Sequence, residues 1–137
     1  ANGDAKYVIG IVIVAHGGLA GEYLSAVEHV VGQQSGMRSI SIAPDDDRAQ
    51  KQGEICDAAD AVDTGVGVVI VTDMFGGSPS NLSLRACSPQ NRRIIYGANL
   101  PMLIKLAKSR NMPVPDAVAA ALDAAHKYIN SHSVGQP

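Results

Sequence analysis

Three stretches of this chain combine residue types that could do chemistry. The first is Ala15-His16-Gly17-Gly18, an imidazole set between an apolar run and two glycines. Glycines there let the backbone turn sharply and let another molecule approach closely. An imidazole in that position can be a nucleophile, a general base or a metal ligand, and the alternative is a capped, buried ring. The second is Thr72-Asp73-Met74-Phe75-Gly76-Gly77-Ser78-Pro79. Asp73 reads either as a turn residue or as a partner for His16. As a partner it would accept from one ring N–H, fix the tautomer and leave the other nitrogen reactive. Ser78 suits a helix N-cap and Pro79 the first helical position, a cap contributing about 1 kcal/mol. The free N–H groups, the hydroxyl and the pliant Gly76 and Gly77 would also suit an anion. The third is Gly97-Ala98-Asn99-Leu100-Pro101, where Asn99 and Pro101 open a helix. A histidine, an orienting aspartate and an anion cradle together point to phosphoryl transfer through phosphohistidine, with protein partners supplying and removing the group. No metal or cofactor is demanded, because no further carboxylate clusters near Asp73. Neither a P-loop lysine nor a G-x-G-x-x-G pattern is present.

The elements that must position these residues follow from hydrophobic patterning. Residues 7–14 form a continuous β-branched run rather than an alternating one, the mark of a parallel strand buried on both faces. Shorter apolar runs follow at 38–42, 66–72 and 93–96. Between them apolar residues recur at helical spacing: Tyr23, Val27, Val30 and Val31; Ile55, Cys56, Ala59 and Val62; Leu103, Ile104 and Ala107; Val118, Leu122, Ala125 and Ile129 after Pro115. Strand and helix alternate throughout. The predicted fold is therefore α/β, a three-layer, doubly wound, mostly parallel sheet with helices on both faces. In such sheets sites form beyond the carboxyl ends of the strands. The first and third strands are neighbours in the common doubly wound orders, which would bring His16 and Asp73 together. The second strand ends less tellingly, in Ala43-Pro44 and the triplet Asp45-Asp46-Asp47, which reads as a helix start.

Composition narrows the partners. The chain has 137 residues, 46% hydrophobic, 18% charged and 4% aromatic, with no Trp. That length suits one domain, 1–137 with a core of about 7–130, able to fold without disulfides or structural metal. The scarcity of aromatic rings argues against a stacking platform for single-stranded nucleic acid. A net charge of −2 without a basic block argues against nucleic acid or an anionic membrane as partner. Cys56 and Cys87 are not in C-x-x-C spacing, and Cys56 among apolar neighbours reads as a small buried hydrophobe. No signal-peptide pattern is seen and no apolar run nears a membrane span of about 18 residues, which fits the cytoplasm and no direct membrane insertion.

Taken together, Ile11-Val-Ile-Val-Ala-His-Gly17, Thr72-Asp-Met-Phe-Gly-Gly-Ser-Pro-Ser-Asn81 and Gly97-Ala-Asn-Leu-Pro-Met-Leu103 resemble the A component (enzyme IIA) of the mannose-type phosphotransferase system. The likeness runs from residue 7 to about 130. It implies a doubly wound parallel fold, a homodimer, and a histidine that takes a phosphoryl group from the phosphocarrier HPr. That group would pass to a B component (EIIB), then to a sugar during uptake, or serve as a regulatory signal to a target protein. Carried onto this chain, the resemblance makes His16 the phosphorylated residue, at Nε2. Asp73 would bond Nδ1–H, and Ser78 with Gly17, Gly76 and Gly77 would contact the phosphoryl oxygens, while Asn99 would support the site rim. Three other readings compete. A receiver-type domain phosphorylated on Asp73 needs an acidic pair after the first strand, where His16-Gly17 stands. A tetrapyrrole metal chelatase needs a second ligand at another strand end, yet His29, His126 and His132 fall on predicted helices or the tail. A flavin-binding module lacks its stacking aromatics.

Overall fold

A computed structural model of the chain describes residues 7–74, 77–87, 89 and 91–135. Its elements run β1 (Gly10–His16), α1 (Leu19–Val31), β2 (Met37–Ile42), α2 (Arg48–Val62), β3 (Val68–Thr72) and α3 (Ser78–Ser83). A 3₁₀ turn (Leu84–Cys87) then leads to β4 (Arg92–Ile95), α4 (Leu100–Lys108) and α5 (Val114–Lys127). The strands form one sheet in the order β2-β1-β3-β4, with every pairing parallel. Strand and helix alternate as the apolar periodicity requires, and the α/β class read from the sequence is the class observed.

Continuous apolar strands follow from the layers on either side. Successive strand residues point to opposite faces, so a strand covered twice must be apolar at every position. Ile11, Ile13 and Ala15 of β1, with Val69 and Val71 of β3, bury against α1, α4 and α5. Val12 and Val14, with Val68 and Ile70, bury against α2 and α3. Gly10 is imposed by the second layer: a Cβ there would run into the carbonyl and side chain of Val62 in α2.

Several sequence expectations shift by a few residues, each for a physical reason. The first strand starts at Gly10, not at residue 7: Tyr7 is exposed, and the Ile9 N–H turns to the Arg110 carbonyl. The third starts at Val68 because Gly67, at φ +120°, cannot lie in a strand, and Val66 before it is exposed. In α5 the buried residues are Val114, Ala117, Ala121 and Ala125, whereas Leu122 is exposed and Ile129 lies beyond the helix end. Alanines let α5 lie close to α4, and the Asn99 amide of α4 reaches the Ala125 carbonyl at 2.9 Å. In α1 the buried line is Ala20 and Val27 with Tyr23 and Val31 half-buried, and Val30 faces solvent. Cys56 is half-buried against the second core. The acidic triplet does start a helix, since the Asp47 carboxylate caps α2 by accepting the Gln50 N–H at 3.1 Å.

Candidate active site

The two central strands bring His16 and Asp73 together. Register places Val14 of β1 opposite Thr72 of β3, so His16 and Asp73 emerge side by side beyond the strand ends. One oxygen of Asp73 does two things: Oδ2 accepts the His16 backbone N–H at 2.9 Å and faces the ring Nδ1 at 2.8 Å. A carboxylate can only accept, so Nδ1 carries the hydrogen and Nε2 of the neutral ring keeps its lone pair. The arrangement fixes both the tautomer and the ring plane. The imidazole is half exposed, at 51% of its side-chain surface, while Asp73 is 11% exposed. Burial works against the Asp73 charge, but the His16 backbone N–H, the ring N–H and the electrostatic attraction of His16 outweigh it, holding the carboxyl below its usual value. Its other oxygen, Oδ1, is buried without a hydrogen-bond partner among the described residues.

Glycines make the space around the ring. Gly17, at φ +55°, turns the chain away directly after His16, and its N–H donates to the Ile42 carbonyl at 3.0 Å. Gly77 stands against the free edge of the imidazole. A Cβ built there would lie 3.2 Å from His16 Cε1 and 3.6 Å from Nε2. Its bare Cα leaves room for a group attached to Nε2. Gly77 is also the N-cap of α3, one residue earlier than expected, so Ser78 is the first helical residue and Pro79 the second. The extended backbone of Gly77 makes the bend that a side-chain cap would otherwise hold, and Ser78 is left exposed at the groove.

Two contributors escaped the sequence reading. Tyr23 reads as core by spacing, yet its hydroxyl donates to the Ala98 carbonyl at 3.1 Å, and the Ala98 N–H donates to the Thr72 carbonyl at 3.1 Å. The phenol thus ties α1 and the β4–α4 turn to the residue preceding Asp73. Burial, and then the negative charge of Asp73, push its pKa up. The signal available was position: Tyr23 sits in the first turns of the helix that follows His16, hence at the functional edge of the sheet. The second is the end of β2. A groove of about 660 Å³ runs from His16 and Ser78 across Leu82 to Ile42, Pro44 and Arg48.

The structure thus gathers His16, Gly17, Asp73, Gly77 and Ser78 at one place. Asn99 opens α4 as expected: its Oδ1 accepts the Met102 N–H at 3.0 Å, and its amide nitrogen is bonded to α5. Gly76 and Phe75 lie outside the described residues. His29 and His126 fall on α1 and α5 and His132 in the tail. Among the described residues no group of three or more His, Cys, Asp or Glu could hold a metal ion, and no helix is long and apolar enough to cross a membrane.

Fold and site together define an open, parallel α/β protein with a carboxylate-bound histidine beyond the strand ends. Residues 10–123 match the family described as "PTS system fructose IIA component", and the chain belongs to that family, EIIA-man. Members of that family are described as components of the phosphotransferase system (PTS). The mannose-specific EIIAB component of Escherichia coli K12 is 27% identical over 126 residues, which is 90% of this chain and 39% of that protein. This chain therefore spans about two fifths of that relative. The sorbose-specific EIIA component of Lacticaseibacillus casei is 26% identical over 125 residues, 90% of each chain. Among solved structures, the EIIA component from Streptococcus agalactiae superposes with a TM-score of 0.80 at 26% identity, covering 90% of this chain and 96% of its own. None of these relatives supports the receiver, chelatase or flavin-binding readings.

Proposed function

We propose that His16 is the phosphoryl carrier of this protein, accepting the group at Nε2 from phospho-HPr and passing it to a B component or using it as a regulatory signal. The observation that carries this reading is the 2.8 Å contact between His16 Nδ1 and Asp73 Oδ2, which leaves Nε2 as the free nitrogen at an open groove. In the transfer, the Nε2 lone pair forms a bond to phosphorus, and the donor's bond to phosphorus breaks with its electron pair leaving on the donor. Nδ1 keeps its proton, so the ring becomes an imidazolium whose charge faces Asp73. A carboxylate that stays ionised well into acid lowers the energy of that cation, and of the transition state leading to it. Release to the acceptor is the same step reversed.

The bare Gly77 gives the phosphoryl group room, and the Gly17, Gly76 and Gly77 backbone with the Ser78 hydroxyl would contact its oxygens. Asn99 supports the rim by capping α4. The chain would act as one phosphocarrier domain, in the cytoplasm and as a homodimer, with no cofactor. Incubation of the protein with phosphoenolpyruvate, enzyme I and HPr tests this. Wild type should gain the mass of one phosphoryl group, labile in acid, and His16→Ala should gain none. Label that persists in His16→Ala removes His16 from the role.

A further inference from the structure

Arg48 occupies a position that the local structure disfavours. It is the first residue of α2, a helix of 15 residues whose amino end carries the positive pole of the backbone dipoles. A cation belongs at the other end, and α2 has no acidic residue in its first turn to offset it. Asp47, just before it, is engaged as the cap for the Gln50 N–H. Lys51, one turn further along α2, is answered by Glu54 at 3.0 Å. The Arg48 side chain makes no hydrogen bond or ion pair among the described residues. Asp45, Asp46 and Asp47 precede it directly in the chain, yet among the described residues none is paired with its guanidinium, and a side chain that departs from what its own element prefers is a pointer to function.

The groove gives the reason. Arg48 lines it together with His16 and Ser78, and among the described lining residues it is the one permanently cationic side chain. Asp46 lines it too, but its carboxylate accepts the Ala43 N–H at 2.7 Å and faces Lys51 Nζ at 4.0 Å. Charge counting on the phosphorylated site, which rests on the reading of His16 above, leaves a gap. The imidazolium is balanced by Asp73, Ser78 is neutral, and the phosphoryl dianion has no counter-charge. We propose that Arg48 is the phosphoryl-binding cation of this site, its guanidinium reaching across the groove to the oxygens of the group on His16. A planar fork of N–H donors suits two such oxygens, where an ammonium would offer only a point charge.

Two measurements on Arg48→Gln, with Arg48→Lys as the conservative control, decide it. Inorganic phosphate is titrated into the unphosphorylated protein while the Arg48 side-chain N–H and the His16 ring resonances are followed by NMR. Wild type should show both sets shifting together, with dissociation constants about fivefold to tenfold higher in Arg48→Gln and intermediate in Arg48→Lys. Phosphoryl transfer from phospho-HPr should fall by a similar factor in kcat. Thermal unfolding guards against a folding defect: with its unfavourable cation removed from the helix start, Arg48→Gln should be as stable as wild type or slightly more so. Phosphate shifts confined to His16, or phosphate binding equal in wild type and Arg48→Gln, overturn the proposal. So does a transfer defect confined to KM for HPr, which would make Arg48 a contact for the partner protein. If wild type takes up no phosphoryl group while Arg48 still governs phosphate binding, the carrier reading of His16 fails and the anion site stands.

Discussion

Replacing Asp73 by Asn tests the core of the proposed mechanism, because it removes a charge and little else. The asparagine Oδ1 can still accept both the His16 backbone N–H and the ring N–H that now converge on the carboxylate at 2.9 and 2.8 Å. What disappears is the attraction between a carboxylate and a ring that becomes cationic on phosphorylation. At 2.8 Å two unit charges attract by about 1.5 kcal/mol in water and about 6 kcal/mol at an effective dielectric constant near 20. With the ring half exposed, the water end of that range applies, roughly 1.5–3 kcal/mol. Transfer from phospho-HPr should therefore slow by about tenfold to a hundredfold. An asparagine that flips its NH2 toward Nδ1 would donate to that nitrogen, favour the tautomer with the hydrogen on Nε2 and deepen the loss. Rapid-quench measurement of phosphoryl uptake gives the rate, and ¹⁵N spectra of the imidazole report which nitrogen carries the hydrogen. Uptake within twofold of wild type, with an unchanged backbone amide spectrum, would refute the role given to Asp73.

Three further outcomes are expected. Gly77→Val places branches beyond the Cβ position that already sits 3.2 Å from His16 Cε1; phosphoryl uptake should be nearly abolished while the melting temperature changes little, since Gly77 adopts an ordinary φ of −88°. Tyr23→Phe removes the bond to the Ala98 carbonyl; unfolding in urea should show a loss of about 0.5–1.5 kcal/mol, accompanied by slower uptake as the end of β3 loosens. Asp63 titrates below its usual range because, although burial opposes its charge, the Gly65 N–H and the Arg92 guanidinium stabilise it. A depressed carboxyl contributes stability above its unfolded pKa and loses it as pH falls through the folded value. Wild-type stability should thus drop as pH falls below the ordinary carboxylate value of about 4, and Asp63→Asn, measured by denaturant titration over the same acid range, should drop less.

How much of this was legible depended on whether a residue's role is set by its own strand or by another part of the chain. Ile11, Val12, Ile13 and Val14 announce a strand buried on both faces because burial on both faces is what their unbroken apolar character permits. His16 and Asp73 could be paired in advance because parallel neighbours end on the same side, and β1 and β3 are neighbours. Gly10 was different: its need for a missing Cβ comes from the Val62 carbonyl, some fifty residues away. The alanine face of α5 was misread for a related reason. Helical spacing alone favours the larger Leu122, whereas the close approach of α4 selects Ala117, Ala121 and Ala125.

The same distinction separates the two halves of the site. The half around His16 and Asp73 is built on strand ends, where backbone pairing fixes position to within a hydrogen bond. That half could be read from local motifs. The rest is carried by motif only in part: Gly77 and Ser78 belong to one, but Tyr23 comes from the face of α1 turned toward Ala98, and Arg48 lines the groove from the start of α2. Residues of this second kind leave a weaker trace, a departure from what their own element prefers. A phenol hydroxyl on a core-facing helix side and a cation at a helix's positive end are both such departures. Each is tolerable where the neighbouring element supplies what the local one withholds, a carbonyl for Tyr23 and an arriving phosphoryl group for Arg48. Misfit between a side chain and its own element is thus a physical marker for the part of a site that strand-end motifs leave unread.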